Sequence, residues 1–146
     1  QGQVLANPLH LAVMYTAFSN SGSMITPYLI YKDDPSAEVW IDQAISKEHS
    51  SLLTEDLKAV VNNPAGSGYA AHRTDMELAG KTGTAELKSE QGTTGQEIGW
   101  FSVFTTDPSA SKPVLLTSMV ESVEDKGGST YVVKKDAAVL DSYFGS

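Results

Sequence analysis

Apolar side chains recur at helical spacing in two stretches of the first half of the sequence. The first stretch follows Asn7-Pro8 and ends at Gly22, residues typical of a helix start and a helix stop. The second is predicted to begin at a Thr54 cap followed by acidic residues and to end at Asn62-Asn63-Pro64. The first helix is apolar on nearly every side, so we expect other segments to cover it on more than one face.

The second half changes to the patterns of β-strands. Three strands are predicted at residues 77–87, 98–105 and 114–123, and their short connections favour an antiparallel meander. The second and third are apolar on both faces, as expected for central strands covered by helices, whereas the more polar first strand belongs nearer an exposed edge. A final helix, capped by Ser129 or Thr130, is expected to lie across the sheet. The pattern predicts an α+β fold in which helices cover an antiparallel sheet.

The segments between these elements are shorter or richer in turn residues. Residues 24–31 and 39–41 have the β-branched and aromatic content of short extended segments. Residues 66–73 begin with Gly66-Ser67-Gly68 and are predicted to form a flexible loop that leads into the first long strand.

The composition is that of one folded domain and excludes several functions. With 146 residues, 40% hydrophobic residues and a net charge of −8, the chain can bury a core and is not expected to bind nucleic acid. It has no cysteine, and its three histidines lack the spacing of a metal site, so neither a metal nor a cofactor is expected. No stretch is long and apolar enough to span a membrane, so any anchor is expected outside these residues.

The chemistry centres on the tetrapeptide Lys81-Thr82-Gly83-Thr84 within the first long strand. Because side chains alternate along a strand, the hydroxyls of Thr82 and Thr84 are expected to share one face. An extended peptide could add to the strand edge and place its carboxylate at those hydroxyls, with Gly83 leaving room for close approach. The backbone N–H of Thr84 could stabilise a developing oxyanion by roughly 3 kcal/mol, and Lys81 adds positive potential.

A longer stretch of sequence resembles a known family. Ala79 to Lys88, followed by Ile98-Gly99-Trp100-Phe101, is similar to the third motif and next strand of class B penicillin-binding proteins. Upstream, Gly2-Gln3, Ala6-Asn7-Pro8-Leu9 and the run from Phe18 to Gly22 resemble the helix and loop that precede this motif in those transpeptidase domains. The Glu86-Leu87-Lys88 and Ile98 to Phe101 details are most similar to the low-affinity, methicillin-resistance type.

The resemblance implies a serine D,D-transpeptidase that cross-links peptidoglycan through D-Ala-D-Ala stem peptides, is acylated by β-lactams and works outside the cytoplasmic membrane. Lys81 and Thr84 would be catalytic, and Lys81, Thr82, Gly83 and Thr84 would bind substrate. The family's Ser-x-x-Lys and Ser-x-Asn motifs precede Lys-Thr-Gly, whereas the one Ser-x-x-Lys here, Ser109 to Lys112, follows it. Residues 1–146 are therefore interpreted as the C-terminal portion of one transpeptidase domain. It is expected to be inactive alone, to self-associate, and to belong to a membrane-anchored parent.

Other interpretations of the tetrapeptide stay open or fail on spacing. A β-lactam sensor or a serine β-lactamase would share Lys-Thr-Gly, and a non-catalytic peptide-binding module would use the strand edge only. A phosphate-binding loop would need a glycine where the chain has Asp75, and an apolar strand before the loop instead of around it.

Overall fold

A computed structural model gives the fold and describes residues 4–30, 33, 36–87, 95–107 and 109–145. Within those residues the chain forms three α-helices and five strands, joined by 3₁₀ turns at Tyr69–Ala71 and Glu124–Lys126. The helices are α1 (Pro8–Ser19), α2 (Lys47–Asn62) and α3 (Ser129–Phe144), and the strands are β1 (Met24–Ile25), β2 (Val39–Ile41), β3 (Leu78–Leu87), β4 (Gln96–Thr105) and β5 (Leu115–Glu121). The predicted α+β class is confirmed. None of the described helices is long and apolar enough to cross a membrane.

The main sheet is the predicted antiparallel meander. Its strands lie in the order β3-β4-β5, so the polar strand β3 forms an edge, as its sequence predicts. Of the two strands predicted to be central, β4 is central, whereas β5 forms the other edge of the sheet among the described residues. A separate antiparallel pair joins β1 to β2. Of the extended segment predicted at residues 24–31, only Met24–Ile25 is a strand, and Tyr31 lies outside the described residues.

The sheet has an apolar core on each face. On one face, the fully buried Leu78, Phe101 and Val103 pack against Val61 of α2 and Val132 of α3. On the other face, α1 covers the sheet through aromatic contacts: the Phe18 and Phe104 rings stack with centroids 6.2 Å apart, and Tyr15 meets Phe104 edge-on at 6.3 Å. Helix α3 lies against β4, as predicted. Successive side chains of β4 point to opposite faces of the sheet, so this strand contributes residues to both cores.

The predicted start of α2 is wrong. The helix begins at Lys47, and the N-cap is Ser46, whose Oγ accepts a hydrogen bond from the His49 N–H at 3.2 Å. Thr54 lies inside the helix, where its hydroxyl donates to the Ser50 carbonyl oxygen at 2.8 Å. Both residue types serve as caps or as interior residues that bond back along the helix, so the pattern alone did not separate them.

The predicted cap of α3 is also wrong. The N-cap is Gly128, which has φ +62° and makes no side-chain cap bond, and Ser129 is already helical. The Ser129 N–H instead donates to Oγ1 of Thr84 on β3 at 3.3 Å. A side chain from a distant strand therefore supplies the hydrogen-bond acceptor that the helix start needs.

The segment predicted as a flexible loop is tied closely to the end of α2. Gly66 N–H donates to the Asn63 carbonyl at 2.7 Å, and Gly68 N–H donates to the Val60 carbonyl at 3.0 Å. A Cβ at Gly66 would lie 2.2 Å from the Val60 oxygen, so the turn can approach the helix this closely only with glycine there. Ser67 is thereby held between two fixed residues.

Candidate active-site strand

Lys81, Thr82, Gly83 and Thr84 lie on the outer strand of the main sheet. Their partners across the β3–β4 ladder are Ser102, Phe101, Trp100 and Gly99. Among the described residues, no strand pairs with the other side of β3. The tetrapeptide is therefore extended and lies along an unpaired edge, which is the arrangement that strand addition requires.

The hydrogen-bond phase of the ladder shows which backbone groups point out of this edge. Thr106 N–H donates to the Glu77 carbonyl at 3.3 Å, so the backbone groups of Glu77 point toward the strand that pairs with β3. Along an antiparallel strand, successive residues direct their N–H and C=O groups alternately toward and away from the neighbouring strand. The even-numbered residues of β3 therefore direct their N–H and C=O groups away from β4. In agreement, the Leu78 carbonyl accepts from Asn62 Nδ2 at 2.8 Å, and the Thr82 carbonyl accepts from Lys81 Nζ at 2.8 Å. The backbone N–H of Thr84 is accordingly presented at the open edge.

The two threonine hydroxyls lie on the face that packs against α2 and α3, as the alternation predicts. Thr82 is 9% exposed, and its Oγ1 lies 2.7 Å from Oγ of Ser67. Thr84 is exposed, and its Oγ1 accepts the Ser129 N–H. Because that oxygen acts as an acceptor toward the protein, the Thr84 hydroxyl keeps its proton for donation to another group.

Lys81 lies on the opposite face and is exposed. Its Nζ bonds to the carbonyl of Thr82, so the ammonium group lies along the open edge. Its cross-strand partner Ser102 is buried, and Ser102 Oγ lies 3.1 Å from Thr117 Oγ1. Burial raises the pKa of the nearby Tyr15 hydroxyl, while a hydrogen bond to Ser102 lowers it. The polar side chains beside Lys81 are therefore structural hydroxyls of the α1 core.

Gly83 leaves open space beside the strand. A Cβ at this position would meet only Cβ of Trp100, at an ordinary contact distance of 3.5 Å. By contrast, a Cβ at Gly80 would lie 2.6 Å from the Ser102 carbonyl oxygen. The packing of the described residues thus requires glycine at position 80 and not at position 83.

The Ser-x-x-Lys match at Ser109 to Lys112 lies far from the tetrapeptide in sequence and in a different kind of segment. Ser109 and Lys112 lie in the connection between β4 and β5, and the Ser109 hydroxyl donates to Asp107 Oδ1 at 2.6 Å, so this match is a surface turn. Sequence reasoning missed Ser67, although the flanking glycines were a signal that this serine is held in a tight turn. Lys88 and the Gly2-Gln3 pair, which support part of the resemblance, lie outside the described residues.

Comparison with known proteins decides the family. A family model for the penicillin binding protein transpeptidase domain matches residues 1–140. The chain belongs to this transpeptidase family. Penicillin-binding protein 3 of Bacillus subtilis (strain 168) is 43% identical to it over 136 residues, which are 92% of this chain and 20% of that protein. The chain thus spans about a fifth of the length of this relative.

Solved structures share the fold of this transpeptidase chain. The apo transpeptidase domain of Burkholderia pseudomallei penicillin-binding protein 3 aligns with a TM-score of 0.72 at 20% identity, covering 94% of this chain and 41% of that one. The D,D-transpeptidase domain of a peptidoglycan glycosyltransferase from Eggerthella lenta aligns with a TM-score of 0.62 at 26% identity, covering 94% and 33%. In each case the match covers less than half of the solved chain.

Proposed function

We propose that this chain contributes the Lys81–Thr84 strand to the active site of a serine D,D-transpeptidase that cross-links peptidoglycan and is acylated by β-lactams. The observation that carries the proposal is that no strand among the described residues pairs with the outer edge of β3, toward which Thr84 directs its backbone N–H. The side chains of Thr82 and Thr84 lie together on one face of that edge strand. The relatives support the chemistry, since one is a penicillin-binding protein and another a D,D-transpeptidase domain.

Each residue of the tetrapeptide has a role in this proposal. The hydroxyls of Thr82 and Thr84 bind the terminal carboxylate of a D-Ala-D-Ala stem peptide or of a β-lactam. The Thr84 N–H stabilises the oxyanion of the tetrahedral intermediate, and Lys81 adds positive charge beside it. Gly83 gives the acyl donor room to approach the backbone. The strand therefore binds and polarises the carbonyl that a serine attacks.

The nucleophile is proposed to lie in a part of the parent protein that precedes these residues. In that view, residues 1–146 are the C-terminal portion of a single transpeptidase domain and are not acylated alone. The much greater length of the Bacillus subtilis relative supports this assignment. The parent is proposed to be membrane-anchored, with its catalytic domain on the outer side of the cytoplasmic membrane.

We also propose that the parent belongs to the low-affinity, methicillin-resistance type. The support is local: Glu86-Leu87-Lys88 follows one residue after the tetrapeptide, and Ile98-Gly99-Trp100-Phe101 lies in the next strand. In the structure, Ile98 and Trp100 pair with Ala85 and Gly83, and Glu86 and Leu87 pair with Glu97 and Gln96 just before Ile98, so the described residues of the two sequence details lie on adjacent strands, next to each other along the ladder.

Covalent labelling with a fluorescent penicillin tests the central proposal. The full-length parent is expected to label, and Lys81→Ala is expected to slow its acylation by about a hundredfold, because a cation beside the developing negative charge is lost. Lys134→Ala, which removes an exposed lysine from α3, is the matched control and should label normally.

Three outcomes would contradict the proposal. These are normal labelling of Lys81→Ala, stoichiometric labelling of the 146-residue chain alone, and a parent that binds D-Ala-D-Ala peptides without ever being labelled. The last result would instead support a non-catalytic peptide-binding module. A label that forms and is hydrolysed within seconds would indicate a β-lactamase.

A further inference from the structure

We propose that Ser67 is a positioning residue that orients the hydroxyl of Thr82 toward the bound carboxylate. This inference rests on the proposed function, because it assigns a partner to one of the two hydroxyls in that site. Ser67 lies 15 positions before Thr82 in the sequence, outside the Lys-Thr-Gly motif, and the 2.7 Å contact between their oxygens is made only by the fold.

The proton count of the Ser67 and Thr82 hydroxyls determines which of them can donate to a ligand. Each has a single proton, and at 2.7 Å either oxygen could be the donor. If Thr82 donates to Ser67, its proton is used and only lone pairs face a carboxylate, which repels them. If Ser67 donates to Thr82, the Thr82 proton is available to the ligand. A bound anion therefore selects the order Ser67 to Thr82 to carboxylate, and each bond in such a chain strengthens the next.

Thr84 shows the same arrangement by an independent contact. Its Oγ1 accepts the N–H of Ser129, a group that can only donate, so the Thr84 proton is always directed elsewhere. With Ser67 as donor to Thr82, both hydroxyls of the tetrapeptide accept from the protein and donate to the ligand. The two hydroxyls, two positions apart on one face of β3, would then each donate to one oxygen of the same carboxylate.

The turn that carries Ser67 is fixed independently of the Ser67 hydroxyl. Backbone bonds tie Gly66 to Asn63 and Gly68 to Val60, and a further bond joins Tyr69 N–H to the Gly66 carbonyl at 3.1 Å. A Cβ at Gly68 would lie 3.2 Å from the Val60 oxygen and 3.3 Å from the Phe101 ring, so the turn also packs tightly against the sheet.

Thr82 is likewise held by the β3–β4 ladder, opposite Phe101. Both residues therefore keep their places when the Ser67 hydroxyl is removed. Since Ser67 is itself exposed, water can enter the space left by its hydroxyl and bond to the Thr82 hydroxyl in its place. The bond between the hydroxyls contributes to orientation more than to folding.

The test separates ligand binding from acylation in the full-length parent. Acylation rates measured against the concentration of a fluorescent penicillin give the dissociation constant of the noncovalent complex and the rate constant of the covalent step. Ser67→Ala is expected to weaken noncovalent binding about tenfold, as for loss of one hydrogen bond, with a much smaller change in the covalent step. Ser67→Thr should restore binding, and Ser51→Ala, which removes an exposed serine of α2, should have no effect.

Two further measurements distinguish orientation of Thr82 from a merely structural role. In a Thr82→Val background, Ser67→Ala should add no further loss, because the hydroxyl on which it acts is gone. With a penicillin whose carboxylate is esterified, the Ser67→Ala variant should bind and react as the unsubstituted full-length protein does.

Full additivity with Thr82→Val, or an equal loss with the esterified penicillin, would overturn the role of Ser67 while the proposed function stands. A parent that is never labelled would overturn the proposed function and this inference together.

Discussion

At the scale of single residues, the two glycines of β3 make a matched pair for testing the open edge. Gly83→Ala is expected to fold with nearly unchanged stability, because the new Cβ meets only Trp100 at 3.5 Å. In the full-length parent it should nevertheless slow acylation by penicillin at least tenfold, since the methyl group, on the same face of β3 as Lys81, would crowd the edge along which the acyl donor is proposed to lie. Thermal unfolding and fluorescent-penicillin labelling measure the two effects.

Gly80→Ala is the control with the opposite expectation. Its Cβ would lie 2.6 Å from the Ser102 carbonyl oxygen, so the strands must separate, and destabilisation of about 1–3 kcal/mol is expected. Equal stability losses in the two variants, or a Gly83→Ala parent with normal labelling, would show that the space beside Gly83 is not a ligand site.

The sequence alone predicts how the side chains of the tetrapeptide are arranged, but it does not predict that Ser67 contacts Thr82. Lys81 to Thr84 are contiguous, so the alternation of one strand already predicts which side chains share a face. Ser67 reaches Thr82 only because Gly66 and Gly68 allow a turn to pack on the end of α2. Such a contact depends on how two distant segments dock, and a local pattern does not contain that information.

At the scale of elements, the first and last residues of the strands were predicted more accurately than the first residues of helices α2 and α3. The main strands β3, β4 and β5 begin or end within two residues of the predicted bounds, since alternation extends over their whole length. The α2 and α3 caps were wrong because a cap is a single hydrogen bond with several competing candidates. For α3 the acceptor comes from Thr84, 45 positions away, which no local rule could find.

The packing of α3 on β5 buries a carboxyl group, and this predicts a pH dependence of stability. Asp136 is 3% exposed, its Oδ1 accepts from Ser118 Oγ at 2.7 Å, and its Oδ2 has no hydrogen-bond partner among the described residues. Burial raises its pKa from 3.8 to about 6, although the hydrogen bond from Ser118 opposes the shift. The folded chain therefore holds this proton more tightly than the unfolded chain does.

The sign of the effect follows from that difference. The stability that the protonated carboxyl provides is fully present below about pH 4 and is lost as the pH rises through about 6. The asparagine of Asp136→Asn stays neutral at every pH. Between pH 4 and 7, the free energy of unfolding of this variant should therefore rise relative to that of the unsubstituted chain, by up to about 3 kcal/mol. Urea unfolding at several pH values measures this gap. Asp125→Asn, at an exposed position before α3, is the control, and a gap that does not change with pH would contradict the burial of an ionisable Asp136.

At the scale of the whole molecule, one region of apolar surface stands uncovered by the described residues. The side chains of β2 are half-exposed, with Val39 at 55%, Trp40 at 54% and Ile41 at 42%, and Leu9 of α1 lines the same groove as Trp40. Helix α1 also exposes Met14 at 49%, in keeping with the expectation that a helix apolar on nearly every side needs more cover than one sheet provides. Contiguous apolar surface of this kind is typical of a contact region.

We therefore expect the 146-residue chain to self-associate through the β2 and α1 surface. Sedimentation velocity should show a concentration-dependent dimer that Trp40→Ser weakens, because the substitution removes the largest exposed ring from the groove. Val139→Ser is the matched control, since Val139 of α3 is 50% exposed but lies on a different element. The net charge of −8 makes two copies repel, so added salt should screen the charges and strengthen the dimer. A chain that stays monomeric at high concentration and high salt would contradict this expectation. If Trp40→Ser leaves the dimer unchanged, the contact is instead expected at the edge of β3 or β5, the two outer strands of the described sheet.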